Sequence, residues 1–162
     1  MTQLALQPLT VVDREWVEQF VTAQWGAPIV VGHGVVYRPH ELPGFIATED
    51  GARIGLVTYT IAGTDCEIVT LDNIMQDSGV GAALISAVKR VAQEAGCRRL
   101  WLITTNDNLH ALRFYQKRGF VLAALHRNAV VQARLLKPSI PQIGNDGIPI
   151  RDELELEMEL EA

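Results

Sequence analysis

Cysteine and positive charge are both scarce in this chain, and long apolar runs are missing. Two cysteines in 162 residues, Cys66 and Cys97, stand apart and form no CxxC pair. That excludes a disulfide scaffold or a CxxC redox motif, and points to buried free thiols in a reducing cytoplasm. Lys and Arg number 14 against 19 Asp and Glu, a net charge of −5. A phosphate backbone rewards clustered cations, so no nucleic-acid partner is expected; the balance suits a small cationic ligand instead. No stretch reaches the roughly 18 continuous apolar residues of a membrane helix. Met1 to Leu9 has no basic region followed by an apolar run, so no secretion signal is read there, and a cytoplasmic location without membrane partners is expected. His33, His40, His110 and His126 show no HxxxH spacing and no accompanying carboxylate cluster, so no metal is expected either.

What is present is a core. The apolar fraction of 48% excludes disorder and suits one domain over residues 1–162. Leu4 to Leu6 reads as a strand. Thr10 and Asp13 make a [ST]-x-x-[DE] cap before Trp16, Val17, Phe20 and Val21 at helical spacing, with Gly26 and Pro28 as stops. Strands follow at Val35–Tyr37 and Gly44–Ala47, the latter turning at Asp50-Gly51 into a partner over Ile54–Ile61. Cys66–Leu71 and Leu100–Thr104 read as buried strands, and Phe120–Leu125 as a further one. Helices are predicted over Gly79–Ala95, ended by Gly96, and over Leu109–Arg118, ended by Gly119. A short helix is expected near Ala129–Leu136, inside a weakly patterned insertion up to Pro149. The tail from Asp152 alternates, with Leu154, Leu156, Met158 and Leu160 on one face and four glutamates on a face expected to be wet. Such a strand is open to pairing across subunits, which makes a homodimer one available assembly. The class is mixed α/β, a mostly antiparallel sheet with helices on both sides.

Two segments carry chemistry. Gln76-Asp77-Ser78-Gly79-Val80-Gly81 opens a helix with a turn of small residues, where unpaired amides and the positive dipole end make an anion site. Taken alone, a GxG before a helix is also what an ordinary turn looks like. It is not a Walker loop, because Ala82-Ala83 follow Gly81 in place of Lys-Ser/Thr. It is not a dinucleotide fingerprint, because Leu84 holds the place of the third small residue. The second segment runs from Asn108 through Ala111, Phe114 and Tyr115 to Gly119-Phe120.

Together, Gln76-x-x-Gly79-x-Gly81-Ala82 and Asn108-x-x-Ala111-x-x-Phe114-Tyr115-x-x-x-Gly119-Phe120 resemble the two signatures of the GCN5-related N-acetyltransferase superfamily. The resemblance covers about Ala47 to Leu125. It implies a splayed sheet in which the strand ending at Leu71 parts from Leu100–Thr104. Acetyl-CoA would lie in that gap, its pantetheine arm pairing with the backbone at Val69 and Leu71. The pyrophosphate would rest on amides of the Gln76, Asp77, Ser78, Gly79, Val80 and Gly81 turn, and Asn108 would bond along the cosubstrate. Asp77 departs from the glycine common at its place, and its carboxylate must point away from a pyrophosphate.

The expected activity is transfer of an acetyl group to a small primary amine by direct attack, since no Ser-His-Asp or nucleophile-elbow pattern is present. Tyr115, with a reference pKa of about 10, can protonate a departing thiolate; the other reading makes it a core residue with its hydroxyl at the rim. Glu67, in the strand Cys66-Glu67-Ile68-Val69, matches the family's general-base position, and is otherwise a solvated strand residue. Glu49, Asp65 and Asp72 are weaker candidates for amine recognition, and His33 and His40 border the expected acceptor region. A module that binds coenzyme A without turnover is the alternative function. The insertion from Arg127 to Pro149 is the expected specificity element.

Overall fold

The computed structural model describes residues 3–74 and 78–161. Gln76 and Asp77 therefore lie outside the described residues. Among the described residues, nine strands and four α-helices follow one another in this order: β1 (Leu4–Pro8), α1 (Arg14–Trp25), β2 (Val30–Gly32), β3 (Val35–Tyr37), β4 (Gly44–Glu49), β5 (Ala52–Ala62), β6 (Asp65–Asn73), α2 (Val80–Glu94), β7 (Arg99–Thr105), α3 (Leu109–Lys117), β8 (Val121–His126), α4 (Ala129–Leu136) and β9 (Glu153–Glu159). Seven strands form one sheet in the order β1-β4-β5-β6-β7-β9-β8. All neighbours in it are antiparallel except β6 and β7.

Local chemistry sets most boundaries. Thr10 N–H and Oγ1 both bond Asp13 Oδ2, so the expected cap is present, and one 3-10 turn precedes α1. Gly26 ends α1 in the left-handed region at φ 81°. Asp50 and Gly51, at φ 51° and 83°, make the mirror-image turn that matches strand twist between β4 and β5. In α2, Val80, Leu84, Ile85, Val88 and Ala92 are all buried, and each fully buried Val or Leu there contributes about 1.5–3 kcal/mol. This stripe packs with Val57, Ile68, Leu100, Leu102 and Leu156 on one sheet face, while Val17 and Val21 of α1 pack with Ile46 and Leu56 on the other.

β2 and β3 form a separate hairpin through His33 and Gly34, both at positive φ. It lies over the α1 face of the sheet, with Gly32 against Ile103 and the His33 ring 4.9 Å from Trp101. The tail strand corrects two expectations. β9 lies between β7 and β8 with both edges paired inside the chain, so pairing across subunits through it is closed. Its glutamate face is wet only at its end: Glu153 is 2% exposed and Arg99 holds Glu155 and Glu157, while Glu159 is exposed. Alternation reports only that two faces differ, and an ion-paired, covered face reads the same as a solvated one. The thiols of Cys66 and Cys97 are both free and buried, and burial pushes Cys66 up to about 12, which keeps it protonated and inert. Among the described residues no helix is long and apolar enough to cross a membrane.

Candidate active site

The sheet opens at one point. The parallel pairing of β6 with β7 ends at Ile68 and Leu102, although β6 runs on to Asn73 and β7 to Thr105. The cause sits on the other edge of β6. Its register with β5 jumps from Thr58–Thr70 to Tyr59–Ile68, leaving Val69 as an extra residue. A bulge bends its strand and adds twist, so β6 turns away from β7 there and leaves backbone groups facing a gap. The bulge also changes which side chains share a face. Glu67 and Asp72 would point to opposite faces of a regular strand. With Val69 inserted, both point toward α1, while Ile68 and Leu71 join the α2 core.

A cleft of about 610 Å³ runs through the gap. Its floor is Leu71, Asp72 and Asn73 of β6. One wall is the Ser78–Gly79 turn with Gly81 and Ala82, and the facing wall is α3 from Asn108 to Arg118. Trp25, at the end of α1, and Asn145-Asp146, from the insertion, close the far end.

The turn before α2 differs from its sequence reading in detail. Gly79 caps α2 at φ 84° with open space around it, a conformation that favours glycine. Val80 turns its side chain into the core, 1% exposed, so only its backbone is available to a ligand. Gly81 is small for another reason. A β-carbon on it would lie 2.8 Å from Phe114 Cζ, so the two signature segments are packed directly against each other. Arg118 stacks over Phe114 at 3.7 Å and donates Nη1–H to Phe114 O. It brings a cation to the cleft that the sequence reading placed only at a helix end. Asn108 Oδ1 accepts from Ala111 N at 3.1 Å, so its side chain caps α3. Asn73 Oδ1 is buried and has no hydrogen-bond partner among the described residues.

Tyr115 is 8% exposed and its ring is wedged edge-on between Phe114 and Phe120. Burial, reinforced by the negative charge of Asp72, pushes its phenol well above the usual range. It therefore stays protonated throughout the neutral range, as an acid must. Asp72 is half-buried on the cleft floor and accepts a bond from Trp25 Nε1 at 2.9 Å. Enclosure by the surrounding protein pushes its carboxyl up to about 6, with the Trp25 bond pulling the other way.

Glu67 is elsewhere. It is 5% exposed, so it is no solvated strand residue, and it does not line the cleft. Tyr37 donates its hydroxyl to Glu67 at 2.6 Å, and His33 Nε2 lies 3.0 Å away. The carboxylate so clamps the β2–β3 hairpin onto the sheet. His33 stands in this cluster and His40 pairs with Glu18 at 3.8 Å on α1; neither lines the cleft. Val69 and Leu71 lie where β6 parts from β7, and Leu71 lines the cleft. Among the described residues no group of three or more His, Cys, Asp or Glu could hold a metal ion.

The insertion reaches the cleft through a residue that sequence reasoning passed over. Asp107 is 3% exposed and accepts from Thr105 Oγ1 and from both the backbone and side-chain nitrogens of Asn145. Asn106 ties the return limb by bonds from Arg151 N and Asp152 N and to Pro149 O. An Asp beside Asn108 gives no periodic signal that marks it as an anchor. Asp107→Ala is expected to destabilise by about 1–3 kcal/mol, because buried donors lose their acceptor. A thermal melt and faster proteolysis within residues 137–150 check this; an unchanged melting point and cleavage rate rule the anchor out.

The comparisons agree with the fold. The profile of the acetyltransferase (GNAT) family matches residues 9–120. The Bacillus subtilis (strain 168) protein YdhI, itself uncharacterized, is 45% identical over 148 residues, covering 91% of this chain and 92% of that one. Its YxbD protein is 41% identical, over 95% and 98%. Among solved structures, an IAA acetyltransferase from Bacillus cereus ATCC 14579 shares the fold with a TM-score of 0.72 at 19% identity, covering 98% of this chain and 100% of that one. A GNAT family acetyltransferase from Elizabethkingia anophelis with acetyl-CoA bound gives 0.68 at 21% identity, over 97% and 98%.

Proposed function

The chain belongs to the acetyltransferase (GNAT) family, and from that premise we propose that it moves an acetyl group from acetyl-CoA to a small primary amine. The observation that carries this reading is the opening of Tyr115 and of the α2 N-terminal turn into one cleft, at the point where β6 leaves β7. The residues present fit the cosubstrate. The unpaired edge of β6 beyond Ile68 suits an amide-bearing arm, and the amides at Gly79–Gly81, with Arg118 opposite, suit a pyrophosphate. The orphaned Asn73 oxygen calls for a donor from a ligand. Gln76, Asp77, Ser78 and the Val80 backbone complete the turn in this proposal.

In the reaction the amine must lose a proton before its nitrogen attacks the carbonyl carbon. β6 offers two carboxylates on the acceptor side, Glu67 and Asp72. As the C–S bond breaks, Tyr115 gives its proton to sulfur. Both substrates must be bound together, so positioning supplies much of the acceleration. The buried thiols suit a cytoplasmic enzyme.

Acetyl-CoA at about 100 times its dissociation constant is expected to stabilise the protein by roughly 2.7 kcal/mol. Over a panel of primary amines it is expected to release free thiol with at least one. Stabilisation without thiol release from any amine leaves the non-catalytic coenzyme A module. A protein that shows neither stabilisation nor thiol release would remove the cleft assignment.

A further inference from the structure

Glu67, the strand carboxylate suggested by the sequence, is held away from the cleft, and another carboxylate stands on its floor. We propose that Asp72, oriented by Trp25, is the group that takes the proton from the acceptor amine, and that Glu67 is a structural clamp for the β2–β3 hairpin. The inference rests on the acetyltransferase reading and names its base.

Three observations carry it. First, Asp72 and Tyr115 line the same cleft, close enough for the Asp72 charge to act on the phenol. The acid and Asp72 therefore face one shared cavity. Second, Glu67 lies five positions back along β6, roughly 13–16 Å at strand rise with the bulge allowed for. Its oxygens are already taken by Tyr37 and His33, so one carboxylate cannot replace the other at the same nitrogen. Third, among the described residues Asp72 accepts a side-chain bond from Trp25 Nε1 on one oxygen, Oδ2. That fixes its plane while the floor of the cleft stays open beside it.

Its surroundings suit the task. The other charged or titratable side chains lining the cleft among the described residues are Tyr115, His110 and Arg118 of α3 and Asp146 of the insertion. None of them is paired with Asp72 by a hydrogen bond or ion pair. Enclosure raises its carboxyl toward neutrality, where a base can both accept and release a proton in each cycle. The ammonium loses two protons in all. The first goes to Asp72 and on to cleft water, freeing the lone pair. The second leaves as the C–N bond forms and the C–S bond breaks, and it replaces the proton that Tyr115 gives to sulfur.

The test is the pH profile of kcat/KM, measured by thiol release from acetyl-CoA with an amine that the wild type uses. The wild type should lose activity as pH falls through about 6, in addition to the slope set by the amine's own ionisation. Asp72→Asn should lower kcat/KM by about 10²–10⁴, erase the limb near 6 and keep thermal stabilisation by acetyl-CoA. Trp25→Phe removes a bond that favours the charged carboxylate, so its limb should move to higher pH. Glu67→Gln should retain the limb, whatever its effect on rate. The proposal falls if Asp72→Asn keeps the limb, or if Glu67→Gln alone erases it. Should Asp72→Asn not fold, an unmoved limb in Trp25→Phe overturns the proposal equally. A wild type that releases no thiol with any amine sinks the acetyltransferase reading itself, and is thereby distinct from a wild type that turns over while Asp72→Asn matches it.

Discussion

Tyr115→Phe is expected to reduce turnover by about 10²–10⁴ while leaving acetyl-CoA binding intact. The substitution keeps the ring that packs edge-on against Phe114 and Phe120 at centroid distances of 5.3 and 5.4 Å, so stability should hold. It removes only the hydroxyl, the one atom proposed to reach sulfur. Burial and the Asp72 charge hold the phenol above its usual range, so in the wild type the acid is fully protonated at every practical pH. The wild-type profile should show no alkaline limb from this residue. The defect in Tyr115→Phe should not shrink with rising pH, because water supplies the missing proton less readily as protons become scarce. This separates the acid from the base, whose loss an alkaline medium partly repairs by supplying neutral amine. Steady-state kinetics at pH 6 to 9, with a thermal shift by acetyl-CoA as the binding control, check the result. A defect under tenfold at all pH values would make Tyr115 a packing residue and leave sulfur to be protonated by water.

Most of the fold was legible, because the signals that set it are local. The stripe of Leu84, Ile85, Val88 and Ala92 fixed α2, Gly26 and Gly96 stand at helix ends at φ 81° and 80°, and Asp50-Gly51 turns the β4–β5 hairpin. The cap at Thr10 and the short α4 also stand where the pattern put them. What the sequence could not carry was any consequence of one residue acting on a distant one. The bulge at Val69 has no local signature, yet it opens the sheet and brings Glu67 and Asp72 to the same face. Counting along an unbroken strand would have sent them to opposite sides. The glutamates of β9 misled for a related reason: their partners Arg99, His126 and the His33 amide come from three other segments. Of the candidate site, the described parts of the two signature segments, from Ser78 to Ala82 and from Asn108 to Arg118, line one cleft. Asp107, Asn145, Trp25 and Arg118 were not readable, since each matters only through what tertiary structure sets beside it.

Gly81→Glu is expected to abolish stabilisation by acetyl-CoA and with it all turnover, for a steric and an electrostatic reason together. The β-carbon alone would sit 2.8 Å from Phe114 Cζ and 3.2 Å from Cε1, so Phe114 must move, carrying the Arg118 stacked on it. Overpacking of this kind costs about 1–3 kcal/mol, and displacing Arg118 takes a cation from the cleft. The added carboxylate then stands at the N-terminus of α2, where a phosphate is proposed to bind and where one negative charge excludes another. Gly81→Ala separates the two causes: it brings the steric cost without the charge, so it should lower the melting point yet keep some acetyl-CoA stabilisation. Phe114→Leu in the same chain makes room for the methyl group. The double variant should therefore be less destabilised than the sum of the singles, with a coupling of about 0.5–3 kcal/mol. Additive singles would mean that Gly81 and Phe114 do not press on each other. A folded Gly81→Glu protein stabilised by acetyl-CoA as strongly as the wild type would remove the phosphate from this turn.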